Sequence, residues 1–242
     1  MTTSGGTRHL LAECTSREVG AARPMLIVPL GAVEQHGPHL PLDTDTRIAM
    51  AVALAAAESL RKQGHGVVTA PAISYGASGE HEGFAGTVSI GTEALERLLI
   101  EYGRSASGWA ERIVFVNGHG GNVQAARAAV DRLEYEGRSA GWVPCAPWEG
   151  ETGLPAADAH AGRIETSLLL HLAPDLVRRE LAEQGDTRPL RDVLPELREA
   201  GVAGVSPNGV LGDPTGATAA EGARLLEAIV RAVVARITGE DA

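Results

Sequence analysis

Aromatic residues are scarce in this chain, with three Trp, three Tyr and two Phe among 242 residues. An interior built on stacked rings is excluded, so Val, Leu, Ile and Ala must fill it, and the 44% hydrophobic content is enough to do so. Cysteine is nearly absent: Cys14 and Cys145 make no disulfide framework, which points to a reducing compartment. Basic residues are in deficit, with 21 Lys and Arg against 31 Asp and Glu and a net charge of -10. A chain this acidic has no electrostatic footprint for nucleic acid or an anionic membrane. Long hydrophobic runs are missing too. The longest, IAMAVALAAA at 48–57, falls well short of the roughly 20 residues that span a bilayer. The opening MTTSGGTRHLLAEC lacks the apolar core of a signal peptide. A soluble, cytoplasmic protein with no nucleic-acid and no membrane partner is expected.

The sequence does contain an alternation of short apolar runs with helix-forming stretches. Strands are expected at 25–31, 66–71, 112–117 and 139–145, and helices at 46–63, 92–110 and 122–137. Gly64 closes the first helix, and Thr44 or Asp45 is placed to cap its start. A helix is expected near 190–200 and a final one over about 217–238. The pattern predicts an α/β fold, a three-layer α/β/α sandwich around a mostly parallel sheet. No repeat, linker or break in composition divides residues 1–242, so one domain is expected, with 1–20 as a loosely ordered N-terminal segment.

The stretch GAVEQHGPHLPLDTD (31–45) packs two histidines and three acidic residues into a rigid loop, with no helical face and no run of solvated charge. Glu34 and His36, two apart in an extended segment, point the same way. Asp45 falls near the start of the following helix, where the dipole favours a carboxylate. His119 follows the strand at 112–117 and is flanked by glycines. In open α/β sheets ligands bind beyond the carboxyl ends of the strands, and both sets emerge there. Mixed carboxylate and imidazole donors suit Zn, Fe or Mn, not the all-oxygen cage of Ca or Mg. Taken singly, each residue has an ordinary alternative: a surface carboxylate, a helix cap, or a hydrogen-bonded structural histidine.

DAHAGRIETSLLLHL (158–172) adds His160 and Glu165. Glu165 opens an apolar helix, and a charge there needs a partner, either a metal or an arginine such as Arg163 or Arg47. Glu80 and His81, in the long loop after the second strand, either border the pocket or only fix the loop. His171 reads as packing, and His9 and His65 carry no assignment. GHGGN resembles an anion cradle, but it lacks both the Lys-Ser/Thr of a P-loop and the GxGxxG spacing. Ser78 does not sit in G-x-S-x-G, which argues against a serine hydrolase.

Together, EQHGPHLPLDTD (34–45), YGASGEHEGFAGT (75–87), NGHGGN (117–122) and HAGRIETS (160–167) resemble the creatininase family of metal-dependent amidohydrolases. The resemblance spans nearly the whole chain in the family's order. It implies a three-layer α/β/α fold, two divalent transition metal ions per chain, hydrolysis of an amide C–N bond by metal-activated hydroxide, and a homo-oligomer, hexamer-like or larger. By position, Glu34, His36, Asp45 and His119 match metal ligands, with Asp45 bridging, and His160 matches a catalytic histidine. One departure stands out. Creatinine-hydrolysing members carry Tyr-Glu where this chain has Gly120 and Gly121, and that Glu binds the second metal. Glu165 is the candidate to replace it, as ligand and catalytic residue. The backbone amides of Gly120 and Gly121, with Asn122, are candidates for the oxyanion or a substrate carboxylate. Within the family, YGASGEHEGFAGTVSIGTEAL and LGDPTGATAAEG look most like the mycofactocin-system branch. That likeness implies a peptide substrate, the mycofactocin precursor, trimmed of its C-terminal Val-Tyr. The alternatives are a creatinine or formamide amidohydrolase and, from another class, a non-catalytic α/β protein that binds phosphate.

Overall fold

A computed structural model describes residues 9–148 and 158–240. Four strands form its sheet: β1 (Met25–Leu30), β2 (Val67–Thr69), β3 (Arg112–Asn117) and β4 (Ala140–Pro144). They run parallel in the order β2-β1-β3-β4. The two central strands, MLIVPL and RIVFVN, are apolar almost throughout because helices cover both faces of the sheet.

Alternate side chains serve opposite layers. Ile27, Val114 and Val116 pack with α2 (Thr44–Lys62), α5 (Arg163–Leu172) and α7 (Ala219–Thr238). Leu26, Val28, Ile113 and Phe115 face the other way, onto α3 (Thr92–Ala106) and α4 (Val123–Tyr135). This is the α/β/α sandwich that the sequence pattern predicts. Among the described residues no helix is long and apolar enough to cross a membrane.

Three local features differ from the sequence reading, which assigns no element before residue 25. Ser16–Ala22 forms α1, closed by a capping box in which the Thr15 side chain accepts from the Glu18 amide and Glu18 reaches back to the Thr15 amide. Such caps contribute about 1 kcal/mol, and the Thr-x-x-Glu spacing was their signal. At the start of α2, neither Thr44 nor Asp45 is the cap: Asp43 holds that position without a side-chain bond to the helix amides. Thr44 instead donates to the Pro41 carbonyl at 2.7 Å, and Asp45 is buried in the first turn. Finally, α6 (Leu190–Val205) is longer than expected and breaks at Gly201 (φ 65, ψ -177). There the backbone closes onto the carbonyl of Glu80, seating α6 against the Gly79–His81 turn.

Leu30 and Asn117 pair in register, so β1 and β3 end at the same level. From β1 the chain goes to β2 on one side and then to β3 on the other. The crevice between the exits of β1 and β3 is therefore the topological switch point of the sheet.

Candidate metal centre

Glu34 and His36 leave β1, Asp45 is on the first turn of α2, His119 leaves β3, and His160 and Glu165 flank the start of α5. All six converge. Glu34, His36, Asp45, His119 and His160 are buried, and Glu165 is partly so.

The hydrogen positions follow from the partners. His36 Nδ1 lies 3.2 Å from the Glu34 carbonyl and donates to it, which leaves Nε2 facing Asp45 Oδ1 at 3.0 Å and Glu165 Oε2 at 3.8 Å. His119 Nε2 donates to the Ala77 carbonyl at 3.2 Å, leaving Nδ1 between Glu34 Oε1 at 3.2 Å and Asp45 Oδ2 at 3.3 Å. Each imidazole thus turns its second nitrogen toward two carboxylates, with Asp45 offering one oxygen to each histidine. A single proton cannot serve both carboxylates facing it. Both carboxylate oxygens of Glu34, and Asp45 Oδ2, have no hydrogen-bond partner although buried. Orphaned buried oxygens beside imidazole nitrogens are what a divalent cation satisfies. The donors make two sets sharing one residue, Glu34–Asp45–His119 and His36–Asp45–Glu165, and a third set in which His160 joins Glu34 and His36. The residues fit transition-metal ions.

The electrostatics agree. Burial pulls His36 down, but the Asp45 carboxylate outweighs it and lifts the imidazole to about 10. Burial likewise opposes protonation of His119, and its contacts with Asp45 and Glu34 raise it well above the usual histidine range. Asp45 is driven below the carboxylate range because His36 and His119 overcome its burial. Glu34 is raised by burial and by the charge of Asp45. Burial raises Glu165 to about 7.

A second ring of residues surrounds these. His81, one of the two undecided in sequence, is buried with Nε2 3.3 Å from Glu34 Oε1, while Glu80 Oε1 lies 3.5 Å from His119 Nε2, on the side away from the other ligands. Both border the site. The sequence reading missed Gln35 and His39. Gln35 contacts His81, His160 and Gly209, and His39 Nε2 is 2.8 Å from Thr166 Oγ1. Only their place in the His-dense loop hinted at either.

Two expectations need correction, and one alternative falls away. Asn122 is not free for substrate: it is fully buried, its Oδ1 accepts from Ala77 N at 2.9 Å, and its Nδ2 donates to Gly31 O and Asn117 Oδ1. It ties the exits of β1 and β3 together. Gly120 has open space where a side chain would be, whereas at Gly121 a Cβ would come 2.5 Å from His119 Nε2 and 2.6 Å from Glu80 Oε1. Room is opened at one of the two glycines only. Among the described residues no arginine neutralises Glu165 either: Arg163 pairs with Glu221 and Arg47 with Asp43, while Glu165 Oε2 accepts from Ala161 N at 2.6 Å. His171 is exposed and takes no part.

A family profile described as creatinine amidohydrolase matches residues 12–237. The chain belongs to the creatininase family. It is a hydrolase of amide C–N bonds, and metal dependence comes with the family. Among its relatives is the mycofactocin precursor peptide peptidase of Mycolicibacterium smegmatis, 58% identical over 94% of this chain and 90% of that protein. The protein of the same description from Mycobacterium tuberculosis is 55% identical, with the same shares covered. A crystal structure of creatinine amidohydrolase superposes with a TM-score of 0.78 at 27% identity, over 96% of this chain and 97% of that one. Two further creatininase structures are described as a manganese form and a zinc–zinc form.

Proposed function

We propose that this chain is a metal-dependent peptidase that removes the C-terminal Val-Tyr dipeptide from the modified mycofactocin precursor peptide. The observation that carries this reading is a cavity of about 780 Å³. On one side it reaches His119, Gly120, Glu80 and His81, and on the other it is walled by Leu190, Leu194 and Leu197 of α6. Leu190 and Leu194 are exposed to it, at 39% and 37%. An apolar wall beside a polar centre suits a peptide end with apolar and aromatic side chains, and the volume lies in the range of sites for ligands much larger than creatinine. The relatives described as mycofactocin precursor peptide peptidases support the same substrate.

Glu34, Asp45 and His119 would hold one ion and His36, Asp45 and Glu165 a second, each Zn, Fe or Mn. Bound there, the ions supply an activated water and polarise the scissile carbonyl. The chain's own residues do the rest. Asp45 and Glu34 fix the histidine rings, and Gly120 leaves the approach to the scissile amide open. His160, neutral because burial holds it well below the usual range, turns Nδ1 toward Glu34 at 3.9 Å and is placed to carry a proton to the leaving nitrogen. A homo-oligomer belongs to the same proposal.

The experiment is mass spectrometry of the matured precursor incubated with metal-loaded enzyme, with creatinine in a parallel tube. Loss of the Val-Tyr mass and no creatinine turnover is expected. An unchanged peptide with brisk creatinine hydrolysis would transfer the site to the second reading, favoured by the 31% identity with the creatinine amidohydrolase of Pseudomonas putida.

A further inference from the structure

The residue between the two first ligands of the loop, Gln35, has no place in the ligand set, yet its side chain is at the centre of the second ring. Its Oε1 accepts from Gly37 N at 2.8 Å, which fixes which end of the amide is oxygen. Nε2 therefore points at three atoms: Gly209 O at 3.0 Å, His81 Nδ1 at 2.9 Å and His160 Nε2 at 3.1 Å.

Two protons cannot satisfy three acceptors, and the third contact resolves itself. His160 Nε2 lies only 2.8 Å from the backbone carbonyl of Gln35, so that nitrogen must carry a proton and donate it, since a lone pair there would face an oxygen lone pair. The two amide protons of Gln35 then go to Gly209 O and His81 Nδ1. Because His81 Nδ1 accepts, its proton resides on Nε2, aimed at Glu34 Oε1 3.3 Å away. Because His160 donates from Nε2, its lone pair resides on Nδ1, the atom on the Glu34 side.

We propose that Gln35 is a positioning residue that sets the tautomers of both histidines, through its side chain for His81 and its main chain for His160. His81 then turns a neutral N–H to the Glu34 side and no lone pair. His160 keeps its unprotonated nitrogen, Nδ1, on the Glu34 side. The clamp is built deliberately from both ends. At Gly209 (φ +79) a Cβ would collide with Gln35 Oε1, so the carbonyl can approach only because no side chain is there.

The inference rests on Glu34 as a ligand and His160 as proton carrier, but its main readout needs no substrate, so failure of the peptidase reading would leave it standing. In zinc-loaded protein with 15N-labelled histidine, long-range 1H–15N correlation should show neutral His81 and His160, each with its proton on Nε2. Gln35→Glu keeps the shape but offers only acceptors, so the His81 proton should appear on Nδ1. Gln35→Met should leave His81 as a mixture of tautomers. His36 and His119, whose protons go to the carbonyls of Glu34 and Ala77, are internal controls and should not change. With any cleavable amide, kcat should fall by about 10–100-fold at unchanged zinc content, the range typical of residues that orient a metal site. The proposal is overturned if wild-type His81 carries its proton on Nδ1. It is equally overturned if wild-type His160 carries its proton on Nδ1, if His81 keeps its wild-type tautomer in both variants, or if the His81 tautomer changes while kcat does not.

Discussion

Asp45 Oδ1 lies 3.0 Å from His36 Nε2, with both side chains buried. In the metal-free protein that contact is an ion pair, since His36 is raised to about 10, and His119 beside it is held well above the usual range. Both imidazoles are therefore charged at pH 7, but a metal takes them neutral.

Metal uptake at pH 7 should accordingly release about two protons per chain from the histidines and part of another from Glu165, because ligands must deprotonate to bind. Affinity should rise with pH through the neutral range and level off toward about 10, as proton competition at His36 ends. Calorimetric titration of zinc or manganese in two buffers of different ionisation enthalpy measures the protons directly. Identical heats in the two buffers would contradict the assignment.

Glu165 and His160 separate by what each variant loses. Glu165→Gln should leave one metal position filled and deplete the other, since its Oε2 faces His36 and is otherwise bonded only to the Ala161 amide. His160→Ala should keep both metals and lose about 10²–10⁴-fold in turnover, the usual range for a proton-transfer group. Elemental analysis beside single-turnover kinetics distinguishes the two. Two full metal equivalents in Glu165→Gln would remove Glu165 from the ligand set.

Leu194 offers a test of the α6 wall. Leu194→Asp places a charge where the peptide's apolar side chains would lie. KM for the precursor should rise at least tenfold, while metal content stays constant and stability shifts by less than about 0.5 kcal/mol, as at other exposed positions. Unaltered KM would detach α6 from the substrate.

Glu136 tests stability away from the site. Its carboxylate contacts Arg104, Arg132 and Arg138, and Arg104 chiefly holds it down at about 2. A depressed carboxylate stabilises the fold above its unfolded pKa, and that contribution is lost as pH falls from about 4.5 through 2. Glu136→Gln should therefore flatten the pH dependence of Tm in that window. The wild-type advantage should shrink in high salt, because these groups are solvent-screened. Parallel Tm profiles would refute it.

The strands, the sandwich and the convergence of Glu34, His36, Asp45, His119 and His160 were legible because each depends on local information: an apolar run, then a ligand-type residue at its end. Gln35 was not legible. Its partners His81, His160 and Gly209 are 46, 125 and 174 positions away, and nothing in EQH distinguishes a glutamine that clamps two rings from one in solvent. Asn122 was misread for the same reason, as its bonds reach back 45 and 91 positions to Ala77 and Gly31. The break in α6 was marked by its own glycine, but the carbonyl pressed against it, that of Glu80, comes from a distant turn.

The parallel sheet also governs when the metal centre can come into being. Parallel strands need long crossovers, and the chain from β1 to its neighbour β3 runs through α2, β2 and α3, with Glu165 further along still. Loop closure of this length is slow compared with local helix formation. Ligands dispersed from Glu34 to Glu165 thus bind an ion weakly, in fragments, until the sheet has closed. Metal capture becomes a late, irreversible-looking latch on the folding reaction. In stopped-flow refolding, a zinc-sensitive dye should be depleted in the last kinetic phase, after most helical ellipticity has returned.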